Sequence, residues 1–392
     1  MQFVFNTAET LELLTGMFKF RPKNPAVVDL NNFCFEVNNN QMFAKIYDLE
    51  TMVKVPIPVE MFNCTEPVSF MIDAQEVIDF LKSFSPTTYP EFSLDVDMDK
   101  ETCLLSIPKF KQQLPCYNGE KFPKLTGLPS TVTSFSIPDI VLYNIINKGL
   151  ETVSTDELRV AMTGIYFDVD TKNNMLTTAS TDAHILFTSV NKATIYVKGE
   201  LNNFILNGNA AKKIKHLLPK KVKNPSDVKD CKIRFDGEKV IMNIGKFALI
   251  TRVVDARFPD YKVVIPTEEM IQHQVSVDRN VLLDTIKLVE KSANKQTKAI
   301  KFTFDKDSLK LYARDIDLNK SAEAETTVQK SSIEEGIFEI AFNGEFLKTL
   351  VYLFETDDLV FHLSSSNRAA LIREAANQND TALIMPLMLD KM

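Results

Sequence analysis

Gln41-Met42-Phe43-Ala44-Lys45-Ile46-Tyr47-Asp48 returns in form as Met175-Leu176-Thr177-Thr178-Ala179-Ser180-Thr181-Asp182, and again as Ser308-Leu309-Lys310-Leu311-Tyr312-Ala313-Arg314-Asp315. Each is a strand-like run that closes on aspartate. The aspartates stand at 48, 182 and 315, intervals of 134 and 133. A second set keeps the period. Phe70-Met71-Ile72-Asp73, Phe204-Ile205-Leu206-Asn207 and Ile340-Ala341-Phe342-Asn343 end at 73, 207 and 343, intervals of 134 and 136. Two independent anchors with one period mean three copies of one domain in series.

Three copies in 392 residues give about 130 residues each, enough for a core of its own. The period is far longer than the roughly 20–50 residues of solenoid or propeller repeats. Proline-bearing stretches, Phe122-Pro123 to Pro129 and Arg257-Phe258-Pro259 to Pro266, divide the chain into domains 1–129, 130–266 and 267–392. Within each copy the patterns predict two helices: Thr7 to Phe18 and Ala74 to Phe84; Pro138 to Gly149 and Gly208 to Leu218; Asp278 to Lys291 and Gly344 to Phe354. Asp73, Asn207, Asn343 and Asp278 are natural N-caps, Pro138 fits a first helical turn, and Pro219 stops its helix. Strands and hairpins fill the rest. The expected class is α+β, two helices on an antiparallel sheet, three times over.

Composition is that of a soluble protein, 45% hydrophobic and 25% charged. No stretch nears the roughly 20 apolar residues of a membrane helix. The N-terminal Met1-Gln2-Phe3-Val4-Phe5-Asn6 lacks the basic and apolar regions of a signal peptide. Five scattered cysteines (Cys34, Cys64, Cys103, Cys116, Cys231) include no Cys-x-x-Cys pair, as in a reduced, cytoplasmic protein without a disulfide framework or zinc site. Formal net charge is −7, yet Lys212, Lys213, Lys215, His216, Lys220, Lys221 and Lys223 crowd together. That cluster reads either as a solvated helix face or as one basic surface on an acidic body.

Motifs of catalysis are missing: no Walker loop, no Gly-x-Gly-x-x-Gly, no His-Glu-x-x-His and no Gly-x-Ser-x-Gly. Asp95-Val96-Asp97-Met98-Asp99 begins like a calcium loop but lacks glycine at position six and glutamate at position twelve. Its spacing puts the three carboxylates on one strand face instead. Asp182 and His184 are the best acid–base candidates. However, Asp48 and Asp315 occupy the position of Asp182 with no histidine two residues on, which favours a turn device over a hydrolase pair. No cofactor or metal is expected.

Met162-Thr163-Gly164-Ile165-Tyr166-Phe167-Asp168 followed by Thr181-Asp182-Ala183-His184-Ile185-Leu186 resembles the central domain of the bacterial DNA polymerase III beta sliding clamp family, with its Thr-Asp-Gly-His-Arg-Leu turn. Arg257-Phe258-Pro259-Asp260-Tyr261 is similar to that family's linker without substitution, and Leu383 to Leu389 to its terminal Met-Pro-Met-Arg-Leu. The resemblance covers the whole chain. It implies a non-catalytic processivity factor in DNA replication: a head-to-tail homodimer whose six domains and twelve helices encircle duplex DNA and tether the replicative polymerase, in a bacterium or a phage. Partners would be double-stranded DNA without sequence preference, the polymerase and the clamp loader, in the cytoplasm and at the nucleoid.

The resemblance also implies sites. Arg21, Lys82, Lys148, Lys212, Lys213, Lys215, Arg279, Lys287 and Lys348 would face phosphates without reading bases. A peptide groove would use Met162, Thr181, Ala183, His184, Ile185, Leu186, Pro259, Val264, Phe346, Met385, Pro386 and Leu387; the alternative is that these residues simply pack a domain junction. Phe110, Leu288 and Val289 would lie at the dimer interface. Three departures, Ala183 for glycine, Ile185 for arginine and Met388 for arginine, predict a less basic, more apolar groove. Asp390-Lys391-Met392 extends beyond the usual end. A clamp-fold scaffold or decoy that binds the same peptides without encircling DNA is the alternative function.

Overall fold

The computed structural model describes residues 1–22, 27–63, 66–124, 132–200 and 202–388. Its α-helices are α1 (Thr7–Phe18), α2 (Ala74–Lys82), α3 (Asp139–Gly149), α4 (Gly208–Ile214), α5 (Arg279–Glu290) and α6 (Gly344–Tyr352). Most begin where a strand ends on a capping side chain. Asn6 accepts the Glu9 N–H at 3.0 Å and Asp278 the Val281 N–H at 2.8 Å. Asp73 accepts from Gln75 and Glu76, and Asn343 from Glu345 and Phe346. Each such cap stabilises its helix by about 1 kcal/mol.

Pro138 departs from expectation. It is the last residue of the strand Thr133–Pro138, paired with Asp230, and stands ahead of α3 rather than inside it. The Asp139 side chain takes the Ile140 N–H instead, at 2.8 Å. Helix α4 is shorter than its pattern, passing into a 3₁₀ turn at Lys215–Leu217. Leu218, ahead of Pro219, is already extended, because proline's ring disfavours helical backbone in the residue before it.

The chain forms two compact units. The first comprises Met1–Tyr143, Ala193–Asn202 and Asn209–Val253. It holds a five-stranded sheet and a ten-stranded antiparallel sheet. In the middle of the larger sheet, Thr51–Ile57 of the first copy pairs with Phe247–Arg252 of the second, and the Thr51 and Thr251 hydroxyls meet at 2.8 Å. Buried phenylalanines fill the core here, with Phe5 stacked on Phe92 and Phe35 on Phe70. Each is worth roughly 1.5–3 kcal/mol of burial.

The second unit comprises Asn144–Lys192, Asn203–Gly208 and Val254–Met392. It repeats the arrangement with a nine-stranded and a four-stranded sheet. Ile185–Lys192 of the second copy pairs with Asp380–Ile384 of the third. The three strand-bound helix pairs and their hairpins thus follow the threefold period, and copies join by pairing the fourth strand of one with the last strand of the next.

Cys34, Cys103, Cys116 and Cys231 are buried free thiols; Cys64 lies outside the described residues. Asp95 and Asp97 share a strand face, but Asp99 falls in the turn beyond Glu91–Asp97, where Asp97 binds Lys100 through backbone and side chain. The three-carboxylate face therefore shrinks to two. Among the described residues no helix is long and apolar enough to cross a membrane.

Candidate peptide groove and nucleic-acid-facing helices

The turn joining Met175–Thr181 to Ile185–Lys192 is tied from within. One Asp182 carboxylate oxygen accepts the His184 N–H at 2.8 Å and the Ile185 N–H at 2.9 Å. The Thr181 hydroxyl donates to the Ile185 carbonyl at 2.6 Å and accepts the Ala183 N–H at 3.0 Å. Asp48 accepts likewise from Glu50 and Thr51, and Asp315 from Leu318. One aspartate thus serves one purpose in all three copies. Its oxygen is committed to backbone donors, and the His184 ring stacks on Phe346 with centroids 5.5 Å apart, which is no acid–base pair.

Ala183 has φ +80°. An L side chain is strained there, which is why glycine suits this position. The turn presents His184 outward. The C-terminal segment runs beside it: the Met385 N–H donates to the His184 carbonyl at 2.9 Å, and the Leu387 N–H to the Ala341 carbonyl at 2.7 Å. Met385 and Met388 remain exposed, with Pro386 and Leu387 half-buried between them.

Below this surface lies an apolar cluster that includes Leu186, Phe258, Tyr261, Leu371 and Leu383, with Ala161 and Tyr166 against it. Tyr166 stacks on Phe258 at 4.8 Å. Burial of Tyr261, with Asp168 nearby, pushes its phenol up to about 12. Pro259 follows Phe258 directly and Val264 is exposed beyond Tyr261; Met162 follows Ala161. Leu186 belongs to this cluster and Met162 and Pro259 adjoin its members in sequence, whereas Phe346 packs against the separate core that contains Ile185. Two of the candidates are floor rather than wall. Ile185 and Leu186 are both buried, Ile185 in the core around α5 and α6 and Leu186 in the cluster just described. Ile185 thus adds no exposed apolar surface, contrary to expectation.

The 3₁₀ segment Glu157–Met162 went unread in the sequence. Arg159 donates to the Asp182 carbonyl at 3.3 Å, while Leu158 and Val160 are exposed beside it. The signal available was an apolar pair flanking arginine, in a stretch with no helical or strand period.

The basic candidates divide by what they touch. Lys148 pairs with Asp380 at 2.5 Å, with side chains only 16% and 12% exposed. Lys213 pairs with Asp48, Lys287 with Asp284, and Lys348 with Glu290. Arg21 lies on Phe18 and donates to Gln75; Arg279 donates to the Val351 carbonyl. Lys82 and Lys212 are exposed, and Lys215 is half-buried. Of the interface candidates, Phe110 and Leu288 are exposed. Val289 is fully buried in the core and offers no surface. Asp390-Lys391-Met392 lies outside the described residues.

Residues 136–260 match the family model described as DNA polymerase III beta subunit, central domain, and residues 262–388 its C-terminal domain. The chain belongs to the DNA polymerase III beta subunit family. The beta sliding clamp of Pseudomonas putida is 24% identical over 379 residues, covering 97% of this chain and 96% of that protein. The beta sliding clamp of Pseudomonas aeruginosa is 23% identical over 387 residues, covering 97% and 96%. Among solved structures, the DNA polymerase III subunit beta of Pseudomonas aeruginosa superposes with a TM-score of 0.88 at 22% identity, covering 99% of this chain and 100% of that one. The beta subunit of Thermotoga maritima gives 0.83 at 22% identity, covering 99% of each. The architecture is thus the three-domain clamp fold of this beta-subunit family.

Proposed function

We infer that this chain is a DNA sliding clamp: a head-to-tail homodimer that encircles duplex DNA and holds the replicative polymerase on it. The observation that carries this reading is a pairing rule with one instance left over. Within the chain, Thr51–Ile57 pairs with Phe247–Arg252, and Ile185–Lys192 with Asp380–Ile384. Among the described residues, the equivalent strands still unused are Lys320–Thr327, at the edge of the four-stranded sheet, and Phe110–Pro115, at the edge of the five-stranded sheet. An unpaired edge is a template for another strand. A second copy supplying the missing partner at each end closes a ring of domains 1–129, 130–266 and 267–392, twice.

Repeating the register of the first junction, where Ala248 faces Lys54 and Thr251 faces Thr51, sets Lys111 opposite Glu323. Both are exposed and of opposite charge. Phe110 flanks this seam, and Leu288 belongs to the exposed surface of the same third copy. The function is topological, so it requires no catalytic group. Lys82, Lys212 and Lys215, with the remaining lysines and arginines of the helices, face phosphates and make salt-sensitive contacts that permit sliding. The surface formed by His184, Phe346, Met385, Pro386 and Leu387 over the Leu186 cluster receives short apolar peptides of the polymerase and clamp loader. Methionines suit a site that must accept several sequences. The protein acts in the cytoplasm, at the nucleoid.

Loading onto nicked circular DNA tests the function. A clamp stays bound until the circle is linearised, then slides off. A decoy scaffold that binds only peptides would show no difference between circle and line.

A further inference from the structure

The outward face of the nine-stranded sheet carries a second site. Side chains two residues apart on a strand share a face. Val275, Val277, Phe361 and Ile372 point into the core. On the opposite face, Lys330, Ser276, Val360 and Arg373 form one row across four strands, and Gln274 and His362 lie in the next. These residues line a cavity of about 590 Å³, a size that holds a small molecule.

The cavity is built, not merely open. His362 is only 6% exposed, and its Nδ1 has no hydrogen-bond partner among the described residues. A buried polar atom left unpaired costs roughly 1–3 kcal/mol unless something occupies it. Arg373 is fixed in place: Nε donates to the Thr381 hydroxyl at 3.1 Å and Nη1 to Glu268 at 2.9 Å. Those bonds use two of its five N–H donors. Lys330 stands exposed at the other end of the row. Glu374, the acidic residue lining the cavity, accepts the Glu355 N–H.

We propose that this cavity binds a small oxyanion, phosphate or a phosphate monoester, between Arg373, His362 and Lys330. A guanidinium with further donors, an ammonium, an imidazole with an unpaired Nδ1 and flanking amides and hydroxyls are the groups that recognise such an anion. The site shares no residue with the peptide surface or the basic helices, so it stands whether or not the clamp reading does. Burial holds the His362 imidazole below its ordinary range, and Arg373 adds to this, while Glu268 opposes it. The other charged groups lining the cavity are Lys330 and Glu374. An anion alongside favours the imidazolium, so binding takes up a proton and tightens as pH falls.

Calorimetric titration of the full chain tests this with inorganic phosphate, a nucleoside 5′-monophosphate, the parent nucleoside and sulfate, whose charge is fixed across the range. The two phosphates bind and the nucleoside does not. A monophosphate tighter than inorganic phosphate marks a phosphorylated metabolite as the ligand; equal affinities mark the free ion. Lys330→Glu, at an exposed position, weakens both about tenfold. Sulfate binds more tightly at about pH 6 than at about pH 8, and His362→Gln removes that difference. Equal binding of nucleoside and monophosphate, or phosphate affinity unchanged in Lys330→Glu, overturns the proposal. If His362→Gln fails to fold, the Lys330 variant and the sulfate comparison decide alone.

Discussion

Reversing Glu323 to lysine should loosen the ring, and the size of the effect follows from where Glu323 stands. It is exposed on the edge strand Lys320–Thr327, with its registered partner Tyr312 on one side only. The opposite side is left for the second copy, where the register of the first intrachain junction brings Lys111. An exposed pair of this kind contributes about 0.2–1 kcal/mol, and reversal replaces attraction by repulsion of similar size. A closed dimer has two such seams, so one substitution acts twice. The sum is about 1–4 kcal/mol, a dimer constant weaker by about fivefold to a thousandfold at 1.4 kcal/mol per tenfold. Sedimentation equilibrium reads this directly, since the chain is 44.4 kDa and a closed dimer twice that. The measurement belongs at low salt, because about 1 M salt shortens the screening length to about 3 Å and erases the effect. Lys111→Glu alone should weaken the dimer similarly, and the double reversal should recover most of the loss. A Glu323→Lys dimer as tight as the wild type, or a double variant as weak as the two losses added, refutes the register.

Ala183→Gly should raise the denaturant midpoint. Relief of the left-handed backbone is worth about 1–2 kcal/mol and glycine's extra unfolded-state freedom costs about 0.4–1 kcal/mol, so a lower midpoint would contradict the strain argument. Lys82→Glu with Lys212→Glu should shorten retention on circular DNA and flatten its salt dependence; unchanged retention removes both from the DNA-facing set. Lys148→Met should instead cost about 3–5 kcal/mol of stability, as expected when one partner of a buried pair is removed, with the salt dependence of DNA retention kept. Deleting Leu387 to Met392 removes the Leu387–Ala341 bridge and should abolish binding of a polymerase-derived peptide, measured by fluorescence anisotropy, while DNA encirclement survives.

The parts of this fold that were legible in the sequence are those whose chemistry is local. Asp73, Asn343 and Asp278 cap helices because a short polar side chain after an apolar run has little else to do there. Asp48, Asp182 and Asp315 tie turns for the same reason, and their common spacing betrayed the threefold repeat. The strands Phe110–Pro115 and Asp380–Ile384 were not legible. The first is mostly polar and ends in proline, and the second follows the polar run Asn377-Gln378-Asn379. Each lacks the alternation of a half-buried strand because its neighbours come from far along the chain or from another copy. In the candidate site, His184, Phe346 and Met385 could be named from motifs, but Arg159 could not. Besides Asp156 three residues before it, its partner is the Asp182 carbonyl, and a backbone partner far along the chain leaves no mark in the sequence.

The lysines show why a chain of net charge −7 can hold DNA without gripping it. The helices of the second copy each spend one lysine on a joint: Lys213 of α4 on Asp48 of the first copy, and Lys148 of α3 on Asp380 of the third. Asp380 is further held by the Ser189 hydroxyl at 2.6 Å, so the pair is stitched into the strand that joins the second and third copies. Lys287 and Lys348 are offset by acids on their own helix pair, α5 and α6. A lysine already paired neutralises a phosphate only by giving up its acid, which lowers what each contact can contribute. On the sliding-clamp reading, counterion release by the other lysines, Lys82 and Lys212 among them, then sets the salt slope. A lining of fully unpaired lysines would bind more tightly and slide less. Part of the positive charge on these helices therefore works to stiffen the joints between copies, and the part left over is matched to a ring that must move.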